Sequence, residues 1–253
     1  MAQSRRFFWY ELSTGDREAA EAFYGRVAGW TTQPGMVFDR PYSWFLAGGA
    51  PVGGVMEAEA ETPAGQPRGF IGSILVDDVD AVAARVAALG GTVRLPARDV
   101  PGMVRFAGLA DPQGAAFGVF QPIGDCPPPD TGTPVAMRWH ELHAADPEAA
   151  FAFYAGLFGW EKGEALDMGP MGTYQILTAD GVPFGAVMRR PEAGKPPFWL
   201  FYIGVDDIHA AAARVSEAGG TVLNGPMEVP GGSHIVQALD PQGVLFALNG
   251  PAA

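Results

Sequence analysis

The chain has 253 residues, 48% of them apolar and 17% charged, which is typical of a folded protein of about two compact domains. Its net charge of −12 argues against nucleic acid and anionic membrane surfaces as partners, because both are bound by clustered Lys and Arg. The single cysteine, Cys126, excludes an intrachain disulfide and a thiolate metal site.

The first predicted element is a strand, and its sequence returns in the second half of the chain. Alternating aromatic and apolar residues predict strands at Phe7–Leu12 and Met137–Leu142. The 22 residues that begin at Trp9 and the 22 that begin at Trp139 are identical at 12 positions. A repeat this long is too large for a solenoid unit, so each copy can bury its own core.

A helix is predicted next in each copy. Asp16 and Asp146 are suitable N-cap residues, and the segments that follow carry apolar residues at helical spacing. Gly29 and Gly159 are natural ends for these helices because glycine readily adopts the left-handed conformation. Both copies therefore begin with a strand followed by a helix of about three turns.

The remaining elements repeat one pattern, in which three strands follow the helix and the order then restarts. In the first copy these elements are predicted at Thr31–Phe38, Ser43–Ala47, Val52–Met56, Phe70–Val76, Asp78–Leu89 as a helix, Thr92–Leu95, Val104–Leu109 and Ala116–Phe120. The second copy repeats them up to Asn249, and the sequence DPQG predicts a turn before the last strand of each copy. The predicted fold class is α+β, with four βαβββ modules forming two domains. Whether modules pair within a copy or across copies is left open.

The domain boundaries are predicted from composition. Residues 1–121 form the first domain and residues 136–253 the second, with a proline-rich linker at 122–135. The N-terminus leads directly into the first strand and no run of 18 apolar residues occurs, so a cytoplasmic location is expected.

The chain resembles the vicinal oxygen chelate superfamily in three features. These are the paired βαβββ order, the helix motif AAxAFY followed by GW, and the sequence DPQG before the last strand. This superfamily includes glyoxalase I, bleomycin resistance proteins and extradiol dioxygenases. The resemblance spans about Phe7 to Asn249 and implies two glyoxalase/bleomycin-resistance-like domains. The chain is most similar to tandem two-domain members often labelled hydroxylases, and a role in secondary metabolism is expected.

The resemblance also indicates where metal-using members place their ligands. The matching positions of this chain hold residues without a suitable donor atom: Trp9, Ile71 and Gly118 in copy one, and Trp139, Leu200 and Ala247 in copy two. We therefore expect that the usual metal site is lost in both copies and that the protein uses no metal and no other cofactor.

Three residues of copy two are the candidates for catalysis: Glu141, His143 and His234. Glu141 and His143 share one face of a strand, whereas copy one offers Glu11 and Ser13 at the same places. A carboxylate beside an imidazole suits general acid/base chemistry. Three alternatives stay open: the two glutamates are structural, His143 is a satisfied core residue, or Glu141, His143 and His234 form a two-histidine, one-carboxylate metal site.

The predicted ligand-binding residues are the strand aromatics and nearby groups that could line apolar cups. They are Trp139, Tyr174, Gln175, Leu200, Tyr202 and Gln237 in copy two, and Trp9, Glu11, Trp44 and Arg105 in copy one.

Two functions fit these residues. The first is a metal-independent enzyme, of isomerase, cyclase, lyase or hydroxylase-like type, that acts on a largely apolar or aromatic metabolite with Glu141 and His143 as acid/base groups. The alternative is a small-molecule binding protein that sequesters its ligand without catalysis. A third interpretation, for copy one alone, is a degenerate structural partner. In either case the expected partner is a small molecule, and the expected state is a monomer or homodimer.

Overall fold

The computed structural model describes residues 5–58, 68–123, 136–192 and 194–252. The predicted βαβββ order occurs four times. Copy one contains β1 (Phe7–Thr14), α1 (Arg17–Ala28), β2 (Thr31–Val37), β3 (Arg40–Ala47), β4 (Ala50–Glu57), β5 (Gly69–Leu75), α2 (Val79–Ala88), β6 (Thr92–Val100), β7 (Val104–Ala110) and β8 (Ala116–Pro122). Copy two contains β9 (Met137–Ala144), α3 (Pro147–Phe158), β10 (Glu161–Asp167), β11 (Thr173–Ala179), β12 (Val182–Arg189), β13 (Phe198–Gly204), α4 (Ile208–Glu217), β14 (Thr221–Glu228), β15 (His234–Leu239) and β16 (Leu245–Gly250).

These elements confirm the α+β fold class. Two eight-stranded mixed sheets have the orders β2-β3-β4-β1-β5-β8-β7-β6 and β10-β11-β12-β9-β13-β16-β15-β14. Parallel pairs such as β1 with β4 and β13 with β16 combine with antiparallel hairpins. Cys126 and nearly all of the predicted linker lie outside the described residues. No helix in the described part of the chain is long and apolar enough to cross a membrane.

The predicted bounds agree with the structure to within a few residues, except at β6. That strand continues to Val100, whereas the sequence predicted its end at Leu95. Pro96 follows directly, and the pairing register with β7 shifts between Leu95 and Arg98. Because proline cannot donate a ladder hydrogen bond, it is accommodated in this irregular stretch while the strand continues beyond it.

The chain forms two compact units, and each draws on both sequence copies. The first unit comprises Met1–Trp9, Gly72–Pro128 and His140–Leu200. The second comprises Tyr10–Ile71, Pro129–Trp139 and Phe201–Ala253. Helices α2 and α3 therefore belong to the first unit and α1 and α4 to the second. Compact packing joins parts of one copy to parts of the other, and the sequence-based division at 121 and 136 stays a prediction.

The repeated tyrosine of the AFY motif is central to the core of each unit. In the first unit the ring of Tyr154 stacks on Trp160 with centroids 5.1 Å apart, and Trp199 Nε1 donates a hydrogen bond of 3.0 Å to its hydroxyl. In the second unit Tyr24 lies 5.5 Å from Phe246, with the rings nearly perpendicular. Burying such aromatic rings supplies much of the hydrophobic stabilisation of each unit.

The repeated DPQG turn binds the helix N-terminus of the other copy. In the second unit, Asp16 N donates to Gln242 Oε1 at 2.7 Å, and Gln242 Nε2 donates to Asp16 O at 2.8 Å. The first unit repeats this pair of bonds between Asp146 and Gln113, at 2.8 Å each. Asp16 and Asp146 also cap their helices, as predicted. The most strongly repeated motifs thus hold the two copies together within each unit.

Candidate functional site

The candidate site lies in the first unit on strand β9. Its pairing with β12 places Glu141 opposite Ala186 and His143 opposite Met188. Since residues two apart on a strand point to the same face, the carboxylate and the imidazole project together, as the sequence predicted. Both residues are only 6% exposed.

Each carboxylate oxygen of Glu141 contacts another side chain. His143 Nε2 lies 2.6 Å from Oε1, and the Tyr174 hydroxyl donates a hydrogen bond of 2.9 Å to Oε2. The three side chains therefore form a connected polar group within an apolar region. A buried carboxylate that is contacted at both oxygens is well placed to orient its imidazole partner.

The imidazole of His143 is buried, and its polar atoms are incompletely satisfied. Nε2 lies 2.6 Å from Glu141 Oε1, but the contact does not have the alignment of a hydrogen bond. Nδ1 has no hydrogen-bond partner among the residues the structure describes. The ring stacks on Phe198, with centroids 4.6 Å apart and planes inclined by 14°. We call Glu141, His143, Tyr174 and Phe198 the Glu141 cluster.

Copy one has a related but chemically simpler group in the second unit. The Tyr42 hydroxyl lies 3.4 Å from Glu11 Oε2, and the Tyr42 ring contacts Trp44 edge-on at 5.1 Å. Ser13 occupies the position that His143 has in copy two. This Glu11 cluster (Glu11, Ser13, Tyr42 and Trp44) retains the carboxylate and the tyrosine but offers no imidazole.

His140, the neighbour of Glu141, has a structural environment. Its Nδ1 donates to the carbonyl oxygen of Phe184 at 2.6 Å, and its ring stacks on Phe7 at 5.1 Å. Burial lowers the pKa of His140 to about 4, and the nearby charge of Arg6 acts in the same direction. The imidazole is therefore neutral at physiological pH, which suits a core position.

The predicted residues Tyr202 and Gln237 are brought together in the second unit. Gln237 Nε2 donates to the Tyr202 hydroxyl at 3.2 Å, and both residues are register partners of Ala247. These three residues therefore share a sheet face. The pairing is consistent with a polar contact within an apolar surface, and a role in ligand binding stays a prediction.

His234 lies in the second unit, on the face of β15 opposite to Gln237. Its ring centroid is 6.0 Å from that of His209 on α4, and its Nδ1 is buried without a partner in the described part of the chain. The corresponding residues of copy one, Arg105 and Asp80, form an ion pair with Nε 2.8 Å from the carboxylate. His234 thus stands at a strand–helix junction, and its catalytic role stays a prediction.

Two other predicted ligand residues have side chains bound within the protein. The guanidinium of Arg105 also binds Asp99 at 2.6 Å, and the two carboxylates raise its pKa. Gln175 Nε2 donates to the backbone carbonyl of Gly163 at 2.9 Å, where the pairing of β10 with β11 is irregular. Their side chains therefore have structural partners, and the sequence did not anticipate these contacts.

The remaining predicted residues are apolar. Leu200 is buried, at 3% exposure, while Trp9, Trp44 and Trp139 are partly exposed. Phe198, which the sequence analysis missed, lies two residues before Leu200 and so shares its strand face. The alternating positions of β13 were the signal that could have identified it.

The residues present do not fit the metal site that the resemblance implies. None of the six matching positions, from Trp9 to Ala247, has a donor atom that ligates a divalent cation. At Gly118 even a Cβ atom would overlap the Ser73 side chain. Across the described ranges, no group of three or more His, Cys, Asp or Glu side chains could hold a metal ion. No chemical step is therefore assigned to a metal.

Comparison with protein families gives a match in each copy. Residues 137–248 match the Glyoxalase/Bleomycin resistance protein/Dioxygenase superfamily, and residues 9–120 match a glyoxalase-like domain.

Two curated relatives match nearly the whole chain. "Putative glyoxylase CFP32" of Mycobacterium bovis is 34% identical over 96% of this chain and 94% of its own length. "Anthracycline biosynthesis protein DauV" of Streptomyces sp. is 30% identical over 95% of this chain and 91% of its own length.

Solved structures show the same fold. The Mn(II)-bound glyoxalase of Novosphingobium aromaticivorans has a TM-score of 0.67 at 21% identity, covering 99% of this chain and 82% of that one. The 2,2',3-trihydroxybiphenyl 1,2-dioxygenase of Sphingomonas wittichii has a TM-score of 0.68 at 13% identity, covering 98% and 91%. At these identities the likeness concerns the fold alone.

Proposed function

This chain belongs to the glyoxalase/bleomycin resistance protein/dioxygenase superfamily, and from that premise we propose that it is a metal-independent enzyme that moves a proton on a small aromatic or largely apolar metabolite. The observation that carries this proposal is the buried carboxylate–imidazole contact of 2.6 Å between Glu141 and His143. Isomerisation, cyclisation and lyase reactions can proceed through such a proton transfer, and a hydroxylase-like reaction would combine it with molecular oxygen as the oxidant.

The geometry supports different roles for the two residues. Both oxygens of Glu141 are contacted, by His143 and by Tyr174, whereas His143 Nδ1 has no partner among the described residues. We therefore assign proton exchange with the ligand to His143, and to Glu141 the stabilisation of the charged imidazolium. The arrangement follows the logic of an acid–imidazole pair in which the carboxylate orients the ring and balances its charge.

The names of the relatives support a planar aromatic ligand. DauV and DnrV are described as anthracycline biosynthesis proteins, and the DnrV chain is 30% identical over 95% of this chain. The rings of His143 and Phe198 stack on each other, and flat aromatic ligands pack against such rings in the same way. We extend this ligand class, and a place in secondary metabolism, to the present chain as part of the proposal.

Sequestration without catalysis remains the second candidate, and the Glu11 cluster favours it for copy one. Tyr42 and Trp44 offer aromatic contact area beside a carboxylate, while Ser13 provides no group that exchanges protons near neutral pH. A site of this composition can hold a ligand but lacks the imidazole of copy two.

The proposed metal independence leads to a direct prediction. The purified protein, after dialysis against a chelator and then metal-free buffer, should contain no stoichiometric divalent metal and should keep its full turnover. The reason is that the positions of the usual ligands carry indole, aliphatic and glycine residues. Elemental analysis measures this. Near-equimolar Fe, Zn, Ni or Mn that survives dialysis, with activity lost on its removal, would contradict the prediction.

The experiment that tests the function begins with the ligand. The protein is incubated with a metabolite extract of its source, and the retained compounds are identified by native mass spectrometry. Each compound is then incubated with a catalytic amount of protein. Conversion over many turnovers supports an enzyme. Tight retention of compounds that stay chemically unchanged would overturn the enzymatic proposal in favour of sequestration.

A further inference from the structure

Neither ring nitrogen of His143 has an aligned hydrogen bond among the described residues, and Nδ1, unlike Nε2, has no close contact with a carboxylate either. Nδ1 therefore defines what a ligand must supply. A buried polar atom without a partner is costly unless something else satisfies it. We propose that the Glu141 cluster takes a planar phenol or enol whose hydroxyl gives its proton to His143 Nδ1, so that the ligand is bound as its anion. This inference rests on the proposed function and names the substrate class of that site.

The positions of the two ring nitrogens decide which one accepts the proton. Nε2 lies 2.6 Å from Glu141 Oε1, and because a carboxylate oxygen accepts, the hydrogen of the neutral ring is most favourably placed on Nε2. Nδ1 then has a lone pair and acts as an acceptor. The ligand must therefore arrive with a hydrogen to donate. Ether and ketone oxygens without a hydroxyl would leave Nδ1 unsatisfied.

The proton transfer is balanced without any co-reactant. The ligand O–H bond breaks, its electron pair stays on oxygen, and an N–H bond forms at Nδ1. The imidazolium that results lies between the new oxyanion and the Glu141 carboxylate. The Tyr174 hydroxyl, 2.9 Å from the second carboxylate oxygen, stabilises the negative charge of Glu141. Tyr174 is thus a positioning residue that acts through Glu141.

The ring geometry explains why the ligand should be flat. A hydrogen bond to Nδ1 lies in the plane of the imidazole. The Phe198 ring is nearly parallel to that plane, at 14° and with centroids 4.6 Å apart. A planar ligand that is bound in the imidazole plane therefore lies parallel to Phe198 and offset from it, which is a favourable aromatic arrangement. A puckered, saturated ligand would lose this contact.

The charge of the cluster favours a neutral acid over a ligand that is already an anion. A carboxylate or phosphate entering this buried region would meet the Glu141 carboxylate before any proton has moved, and like charges in a desolvated site repel strongly. A phenol or enol enters neutral. It acquires charge only when the imidazolium forms beside it, so the site as a whole gains no net charge.

The test uses 2-hydroxyanthraquinone as the probe and 2-methoxyanthraquinone as its matched control without an ionisable proton. Binding is measured by quenching of tryptophan fluorescence, and ionisation by the long-wavelength absorption of the phenolate. Titration with pH is expected to show that the apparent pKa of the bound probe lies about 1–3 units below that of the free probe, because a cation forms within hydrogen-bonding distance. The methoxy compound should bind at least tenfold more weakly and show no absorption change.

Two variants keep the inference falsifiable. H143Q should still bind the hydroxy probe but lose the shift of its apparent pKa, while S13A in the Glu11 cluster should keep it. Y174F should bind the probe and reduce the shift without abolishing it. A matched thermal melt confirms that each variant is folded.

The outcomes separate this inference from the proposed function. A probe that binds the wild-type protein without any absorption shift would overturn the phenolate inference, and so would a shift that persists in H143Q. Failure of both anthraquinones to bind would overturn the planar ligand class. None of these results decides whether the protein is an enzyme, because that proposal is tested by turnover of the metabolite retained from the extract.

Discussion

Replacing His143 by Gln is expected to lower turnover of the retained metabolite by about 10²–10⁴-fold, the usual contribution of a positioned acid/base group. Gln is polar and of similar size, but its amide cannot accept and release a proton near neutral pH. The melting temperature should change little, because the contact of Tyr174 with Glu141 remains in place. The ligand should still bind, because the Gln amide oxygen can accept the hydrogen bond of its hydroxyl. Steady-state kinetics, ligand titration and a thermal melt measure the three quantities.

The matched control for this variant is Ser13→Ala, at the equivalent position of copy one. It should leave turnover unchanged, because Ser13 offers no imidazole. If H143Q kept full turnover, His143 would be a packing residue whose ring stacks on Phe198 and does nothing else. A parallel loss of turnover and of melting temperature would indicate the same structural role.

Replacing Asp240 by Ala is expected to lower the free energy of unfolding by about 2–5 kcal/mol, because several donors lose their acceptor together. Asp240 Oδ1 accepts hydrogen bonds from Gln242 N and Val244 N, both at 2.9 Å. Asp240 Oδ2 accepts from the buried hydroxyl of Tyr24 at 3.3 Å. Urea unfolding of the purified variant measures the loss.

Asp240→Asn is the matched control, and it should cost much less, because its side-chain oxygen can still accept from both backbone groups. Burial raises the pKa of Asp240, so the folded state binds its proton more readily than the unfolded state does. Relative to the Asn variant, wild-type stability should therefore be greatest below the unfolded pKa of about 4 and decline as the pH rises through the folded pKa. An Ala variant as stable as the wild type would show that the DPQG turn holds nothing in place.

The fold was predictable because its determinants are local. Each determinant acts within a few residues of its own element. The determinants are strand alternation, the N-cap residues Asp16 and Asp146, and the terminal glycines Gly29 and Gly159. The grouping of modules across copies was not predictable. It depends on contacts such as that of Tyr24 with Asp240, which are 216 residues apart in sequence.

The candidate site was predictable along a regular strand, but not where a side chain meets an irregular strand or a different element. Parity along β9 correctly placed Glu141 and His143 on one face. Gln175 reaches the backbone carbonyl of Gly163 inside a register shift between β10 and β11, where parity no longer indicates what a side chain meets. Arg105 lies directly opposite Asp99 on β6, and its ion pair with Asp80 depends on where α2 packs, which strand parity does not indicate.

Residues that are repeated in both copies and residues that differ between the copies have different contacts. Residues that recur in both copies, such as Gln113 and Gln242, form the same hydrogen bonds in both units and so maintain the fold. The pair His143 and Ser13 differs between copies and lies at the cluster where we place the chemistry. In this duplicated chain, differences between the copies are more informative about function than the similarities.

The most direct test of whether the chemistry resides in the Glu141 cluster compares two variants, Glu141→Gln and Glu11→Gln. Their turnover of the retained metabolite is measured side by side. Both substitutions remove one carboxylate charge at equivalent strand positions, and both leave a tyrosine neighbour. The predicted result is a loss of about 10²-fold or more for Glu141→Gln, with Glu11→Gln close to wild type. Full activity in Glu141→Gln together with loss in Glu11→Gln would contradict this account and place the reaction in copy one.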